Sequence, residues 1–503
     1  ADPCIKTDAG KWFVLYSPTI NLSSNSTWRL MADQHGEGRQ FIPVPANYET
    51  GDKKADIAIL DVKTGIYHID FSSNQFGSWD FVTEQGKAGD DFKTDNLYLE
   101  DINNLTKLQK ANFNLILGDT YYKGNRQKDY YLALMHHTNL KVMLAEQGIS
   151  NHIFNGVNGR KFLTHINSLK PMYREHIYAI DLGDEPTGCK AAHIKDWVRF
   201  FDTTRLNTYR IPVFYNLLPT YASTALLSPD CSSNGTYADY LNALISSDAH
   251  DSSPFISFDH YPFTEAKGFR SDYFENLRLI KNRSKASGNK PFWATVGTNY
   301  LVLKRKLTYE ELKFSAFIPI AYGAKGIMYW SYDKFIDNDE VVYNSIQKIN
   351  RYIKDVIAPV VMKFENVATL HKDNTRLNGT YLFSNEEKVS TSFKKDKSLI
   401  LNFSSDDIVV GIFSNRANGS KTKYLWIVNK ETSPSKLLNN VTLMLNGDYS
   451  HQVKIATSFD NYSKTSNLSY TAITTVFDRL LNVTSVTLPT LQAGDGVMLS
   501  IKK

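Results

Sequence analysis

Between residues 95 and 355 short apolar runs alternate with stretches of helical period, and the pair recurs at near-regular spacing. That alternation leaves little freedom, because each strand has to pair in parallel with the next across a crossover helix. The runs are Phe113 to Gly118, Leu140 to Ala145, Ile177 to Gly183, Pro212 to Leu217, Phe255 to Asp259, Phe292 to Gly297 and Gly326 to Ser331. They are apolar throughout rather than alternating, as strands covered on both faces are. Amphipathic helices are expected at 99–111, 127–138, 193–205, 237–247, 270–286 and 308–322, the last opened by the capping box Thr308-Tyr-Glu-Glu311. One further strand near Trp79 to Thr83 turns seven strands into a closed (β/α)8 TIM barrel, which makes the fold class α/β. A doubly wound open sheet is the alternative, disfavoured because no Gly-rich phosphate loop follows the early strands.

A chain of 503 residues exceeds one core. Three domains are expected: a β-repeat module at 1–92, the barrel at 93–358 and a C-terminal β-sandwich at 359–503. In the repeat module, Ile5 to Ser17 recurs as Ile59 to Ser72 with the turn glycines Gly10 and Gly65 in register, and Trp28 to Gln34 recurs as Trp79 to Gln85. Each unit reads as a meander of strand, Gly turn, aromatic strand and Trp strand. The segment from Gly51 to Leu60, with the aromatic hairpin and Trp79-Asp80 after it, resembles the FG-GAP-like repeats appended to secreted enzymes. Such repeats often hold calcium in a DxDGDG loop. Here Asn47-Tyr-Glu49-Thr-Gly-Asp52-Lys53 departs from that loop, so no calcium site is expected. After residue 360 short alternating strands follow one another: Thr380 to Phe383, Ser398 to Asn402, Ile408 to Phe413, Lys423 to Val428 and Gly496 to Ile501.

Charge excludes some partners. A net charge of +5 over this length forms no basic tract, so nucleic acid is not implied, and no apolar run reaches the roughly 18 residues of a membrane span. No signal peptide opens the sequence, and a start at Ala1-Asp2-Pro3 without methionine reads as that of a processed chain. Sequons at Asn21, Asn25, Asn104, Asn234, Asn282, Asn378, Asn402, Asn418, Asn440, Asn461, Asn467 and Asn482 would carry N-glycans in a eukaryotic secretory host and be chance occurrences in a bacterial one. Secretion or an extracellular or periplasmic surface is the expected location. Three cysteines make no framework, but Cys189 and Cys231 fall in loops after consecutive strands and allow one bracing disulfide in an oxidising compartment.

The chemistry is expected where the strands end. Tyr178-Ala-Ile-Asp-Leu-Gly-Asp184-Glu185-Pro186 is an apolar run that stops abruptly in two acids and a proline. Pro186 forbids continuation, so Glu185 is delivered to the C-terminal rim, where catalytic groups of a barrel collect. The other rim positions are Asp119, Tyr121, Glu146, Asn216, Asp259-His260-Tyr261, Asn299, Trp330, Tyr332 and Asp333. Carboxylates, amides and aromatics on one rim suit a sugar, whose rings stack on Trp and Tyr, whose hydroxyls bind acids and amides, and whose cleavage needs a carboxylic acid to protonate the leaving oxygen. Each has a plainer reading alone: Tyr121 as core, Asp333 as a loop cap, His260 as a satisfied structural histidine. Their coincidence on one rim carries the inference of a carbohydrate partner. No His-x-x-His, His-Glu-x-x-His or clustered Cys/His spacing occurs, so no metal or other cofactor is expected.

The strands Ile177 to Pro186, Ser257-Phe-Asp-His-Tyr-Pro262, Lys290 to Val296 and Ala321 to Asp333 resemble those of clan A glycoside hydrolases, particularly the β-galactosidase-like barrels of secreted polysaccharide-degrading enzymes. The resemblance covers about half of the chain. It implies a glycoside hydrolase whose general acid/base is Glu185, preceded by Asp184 where the clan has Asn. It also implies a nucleophilic Glu ending the seventh strand, and here that position is Gly297. Three explanations stay open: another carboxylate (Glu146, Asp259 or Asp333) acts; the substrate's N-acetyl group attacks; or the site is disabled at Gly297. Gly183-Asp184-Glu185 also resembles the dyad of β-N-acetylhexosaminidases, in which the Asp orients the acetamido group. A non-catalytic carbohydrate-binding barrel is the competing class.

Overall fold

The computed structural model describes residues 4–6, 12–14, 41–46, 56–61, 66–69, 105–118, 132, 135–136, 138–145, 148–169, 171–246, 251–265, 268–298, 303–330, 340–371, 376–377, 380–381, 399–414, 422–462 and 470–502. The chain divides into two compact units, residues 1–106 with 122–139, and residues 107–121 with 140–503.

In the first unit, Cys4–Lys6 pairs antiparallel with Trp12–Val14, and Asp56–Asp61 pairs antiparallel with Ile66–Ile69. Both copies of the sequence repeat thus contribute an antiparallel strand pair. Phe41–Ala46 adds to the outer edge of the second hairpin. An edge is where Pro43 and Pro45 are tolerated, because proline has no N–H for a second ladder. The Trp strands, the loop at 47–55 and the expected eighth barrel strand at Trp79 to Thr83 lie outside the described residues.

In the second unit the seven apolar runs become one parallel sheet. Its strands are β1 Leu115–Gly118, β2 Lys141–Ala145, β3 Ile177–Asp184, β4 Val213–Leu217, β5 Ile256–Asp259, β6 Phe292–Gly297 and β7 Gly326–Trp330, hydrogen-bonded in sequence order from β1 to β7. Helices cross between them, including α1 Gly156–Ser168, α2 Ala191–Thr203, α3 Tyr237–Leu244, α4 Tyr273–Ala286 and α5 Tyr309–Tyr322. The sheet is a curled, barrel-like layer of seven strands among the described residues. Residues two apart share a face, and the inner face changes character along the strands. At the N-terminal end it is apolar: Phe255 stacks on Trp293 with ring centroids 4.0 Å apart, and Phe214, Met143 and Ala179 pack around them. Two residues further on, the same face carries Asn216, Ser257 and Thr295. It ends in Asp259, Gly297 and Trp330. Apolar packing thus seals the lower end and leaves polar chemistry for the C-terminal rim.

Beyond α6 Glu340–Tyr352 the described residues build three antiparallel sheets, one of six strands, one of four and a two-stranded pair of Arg376–Leu377 with Thr380–Tyr381. Val410, Ile412, Leu425, Ile427 and Leu499 of the six-stranded, larger sheet and Phe403, Leu443, Leu445 and Val486 of the four-stranded one share one buried core. The larger sheet packs on α5, which is buried from Glu311 to Tyr322 on every side. Trp426 Nε1 donates to Phe317 O at 3.1 Å, and Asn366 Nδ2 and Thr369 Oγ1 donate to Ala321 O at 3.0 and 2.8 Å. Pro319 removes one N–H inside that helix. Such a helix has to be apolar all round, and Ala316-Phe-Ile-Pro-Ile-Ala-Tyr322 is. No helix among the described residues is long and apolar enough to cross a membrane.

Candidate active site

The end of β3 is shaped by two residues in the left-handed region, Gly183 at φ +120° and Glu185 at φ +48°. At Gly183 a side chain would meet His152 and, 2.7 Å away, the carbonyl of Ser150, so only glycine fits. A positive φ at a glutamate is strained backbone, of the kind that collects at functional sites. The strain is held from both sides. The Glu185 N–H donates to Asn216 O at 2.9 Å, and Tyr240 on α3 donates its hydroxyl to Pro186 O at 2.8 Å while accepting the Leu218 N–H at 3.0 Å. The loop beyond is tied to the next one by the disulfide Cys189–Cys231, with Cα atoms 5.0 Å apart.

Three carboxyls meet there. Asn216 Nδ2 donates to Asp184 Oδ1 at 3.0 Å and to Asp259 Oδ1 at 3.3 Å, and Ser257 Oγ donates to Asn216 Oδ1 at 2.9 Å. The Glu185 and Asp259 carboxyls lie close enough to perturb each other, and the Tyr261 hydroxyl lies near Asp259. Burial, and then the neighbouring acids, raise the carboxyl pKa of both: Asp184 charge acts on Glu185, and Glu185 and Asp184 charge on Asp259. Asp184 is raised by burial of its carboxyl against the Asn216 hydrogen bond and the nearby His152, modestly, since the residue keeps much of its surface in solvent.

Aromatic rings line the cleft. Trp330 is 41% exposed at the end of β7, and Tyr221, in the loop after β4, is 37% exposed. Arg270 lies over the Tyr221 ring at 3.8 Å, and the His260 ring meets its edge at 5.0 Å. The Tyr221 phenol is held well above its usual range by burial and then by the Asp259 charge, with a smaller push from Glu185. His260 is buried behind this wall, its Nε2 3.3 Å from Asp272 Oδ2 but not aligned for a hydrogen bond. Burial alone would raise Asp272, but His260 and the Thr220 hydroxyl outweigh it and bring its pKa to about 2. His260 therefore backs the wall rather than facing the acids.

Gly297 shows why the end of β6 carries no acid. A Cβ there would lie 2.6 Å from Tyr261 Cδ1 and 3.1 Å from Leu303 Cδ2. The volume a glutamate would need is filled by the ring that lies near Asp259. Of the rim residues expected from the sequence, Asp184, Glu185, Asn216, Asp259 and Tyr261 come together. Trp330 ends the paired strand at Gly297, and His260 stands one layer back. Glu146, Asp119, Tyr121, Asn299, Tyr332 and Asp333 lie outside the described residues. Tyr221, Arg270, Tyr240 and Ser257 were not singled out by the sequence. Ser257 alone had a signal, lying two residues before Asp259 and so on the same face.

No protein-family model and no curated protein matches the chain. Among solved structures it is similar to a cycloisomaltooligosaccharide glucanotransferase from a Paenibacillus species complexed with cycloisomaltoheptaose, at 10% identity over 89% of this chain and 87% of that one, with a TM-score of 0.47. It is similar to α-L-fucosidase isoenzyme 2 from Paenibacillus thiaminolyticus at 8% identity, over 80% and 96% of the two chains, with a TM-score of 0.48. An α-galactosidase from Saccharomyces cerevisiae shares 9% identity over 81% and 94%, with a TM-score of 0.40. Likeness this distant carries neither substrate nor reaction.

Proposed function

We propose that the chain is a secreted glycoside hydrolase that cleaves O-glycosidic bonds of an oligo- or polysaccharide, on a barrel completed by an eighth strand, with Glu185 as proton donor and Asp259 as second carboxylate. The observation that carries it is the cluster of Asp184, Glu185 and Asp259 at the ends of β3 and β5, bridged by Asn216 of the intervening β4, with Tyr221 and Trp330 exposed at the same end of the sheet. Two carboxyls that close cannot both ionise cheaply, so one proton is kept near neutral pH, as a general acid requires. Its place follows from the donors. Burial, and then the Glu185 and Asp184 charges, raise Asp259 further than Glu185. Against that, Asn216 Nδ2 donates to Asp259 and not to Glu185, and on that donor the reading places the anion on Asp259 and the proton on Glu185.

The chemistry balances with these groups and water. Glu185 gives its proton to the leaving oxygen as the glycosidic C–O bond breaks, and the anomeric carbon is taken either by Asp259, which water then displaces while returning a proton to Glu185, or directly by a water that Asp259 deprotonates. A carboxyl separation of about 5–5.5 Å is needed for attack by Asp259 itself, and about 6.5–9.5 Å for activation of water. Carboxylate acid/base catalysis needs no metal, so activity is expected to survive exhaustive chelation. Trp330 and Tyr221 provide stacking surfaces for sugar rings.

A second reading has one observation in its favour. Asp184 is exposed beside Glu185, as an acetamido-orienting acid has to be. Asp184→Asn separates the two, since a severe loss confined to N-acetylated substrates supports acetamido attack. The main reading is tested by reducing-sugar release from a panel of polysaccharides and aryl glycosides. Turnover of at least one supports it; carbohydrate binding without turnover across the panel overturns it in favour of a binding barrel.

A further inference from the structure

We infer that Ser257 and Asn216 together form the positioning device that decides which of the three clustered carboxyls stay ionised, with Ser257 acting one step removed from the acids. The inference rests on the proposed hydrolase site but concerns the acids themselves. An amide side chain can turn over, and the two orientations have opposite effects here. With Nδ2 toward Asp184 and Asp259, each of its two hydrogens meets a carboxylate oxygen, at 3.0 and 3.3 Å. With Oδ1 there instead, a lone pair would face two acids and both anions would be repelled. Ser257 selects the first orientation. Its one hydroxyl hydrogen reaches Asn216 Oδ1 at 2.9 Å, whereas its other neighbour, Met328 Sδ, is a weaker acceptor at 3.7 Å. Ser257 is 1% exposed and Asn216 8%, so water does not compete for the Ser257–Asn216 and Asn216–Asp259 bonds. The main chain of Asn216 adds to the same end, since its carbonyl accepts the Glu185 N–H at 2.9 Å. One residue therefore fixes the backbone turn of the acid and donates to both of its acidic neighbours, while giving nothing to the Glu185 carboxyl.

Other charged and titrating groups face the cluster. His152 lies against Asp184, the Tyr261 hydroxyl lies near Asp259, and Tyr221 faces Glu185 and Asp259 with Arg270 behind it. The phenols of Tyr237 and Tyr240 stand behind Asp259 and Glu185. None of these touches both Asp184 and Asp259 as an amide donor does.

Ser257→Ala frees the amide to turn. Both anions are then less stable, every ionisation of the cluster moves to higher pH, and the bell of kcat/KM against pH moves up on both limbs by about one unit, the scale of one charged hydrogen bond. Ser257→Thr keeps a hydroxyl and is expected to restore the parental profile. The same shift should be visible without substrate, as a change in the pH at which the buried carboxyl bands convert to carboxylate in infrared difference spectra of the full chain. A bell that falls in height and stays in place, or carboxyl bands in Ser257→Ala that titrate as in the parent, overturns the inference. If no glycoside is turned over, the hydrolase reading fails, while the infrared titration still decides on Ser257 and Asn216.

Discussion

Gly297 and Tyr261 explain each other. An acid at the end of β6 and the ring that lies near Asp259 cannot occupy the same volume, with only 2.6 Å between a Cβ at 297 and Tyr261 Cδ1. Gly297→Glu is accordingly predicted not to supply a nucleophile. It displaces Tyr261 and is expected to cost about 1–3 kcal/mol, the usual range for overpacking, read as a lower unfolding midpoint with no gain in turnover. This is also where sequence and structure diverge at the level of single residues. Glu185 and Asp259 were legible because an apolar run that ends in an acid places that acid on the rim. Their closeness was not, because it depends on a bulge in the β3–β4 ladder between Asp181 and Asp184, marked in the sequence only by Gly183, and on the left-handed turn at Glu185, which has no residue signature. Tyr221 stands in a loop four residues past its strand, where no periodicity applies.

Elements were far more legible. The seven parallel strands fall within two residues of the apolar runs, because strands covered on both faces are largely apolar from end to end. The capping box at Thr308 is present as written, with the Thr308 hydroxyl accepting the Glu311 N–H at 3.2 Å and Glu311 Oε2 accepting the Thr308 N–H at 2.9 Å. Gly156–Ser168 was less visible, since Gly156 and Gly159 in its first turns weaken the helical pattern. In the four-stranded C-terminal sheet, Thr442–Asn446 and Val483–Thr487 were not singled out. Their apolar residues face the shared core only at every second position, and the runs are short. The loop disulfide belongs to this scale. It closes a separation of 42 residues, and Cys189→Ser with Cys231→Ser is predicted to lower stability by about 2–4 kcal/mol through the greater freedom of the unfolded chain. Denaturant unfolding with and without reductant measures it: the parent should shift on reduction and the double variant should not.

For the whole molecule, the helix α5 is the joint. Buried between the parallel sheet and the larger antiparallel sheet, it leaves residues 107–121 and 140–503 no boundary at which to separate. Asp495 sits close by, with one buried oxygen lacking a partner among the described residues and the other accepting the Gly496 N–H at 2.7 Å. Burial, and then the Asp460 charge, raises its carboxyl to about 7. A folded-state value above the unfolded one near 3.9 means that its stabilising proton is fully held below about pH 4 and lost as pH rises through 7. Asp495→Asn is predicted to raise the unfolding midpoint at pH 8, by at most about 4 kcal/mol at 1.36 kcal/mol per pH unit, and to leave it nearly unchanged at pH 4. Thermal unfolding at the two pH values checks the sign.

The central claim is that Glu185 and Asp259 together break a glycosidic bond. It is tested most directly by comparing the parent with Glu185→Gln and Asp259→Asn on one unactivated glycoside, with ligand affinity measured alongside. Each substitution keeps the shape and removes a transferable proton or a charge, and loss of acid/base function is typically worth about 10²- to 10⁴-fold in rate. Turnover should collapse in both variants while the carbohydrate still binds, and Glu185→Gln should lose least on an aryl glycoside whose leaving group needs little protonation. Near-parental turnover of the unactivated glycoside by either variant would contradict the account.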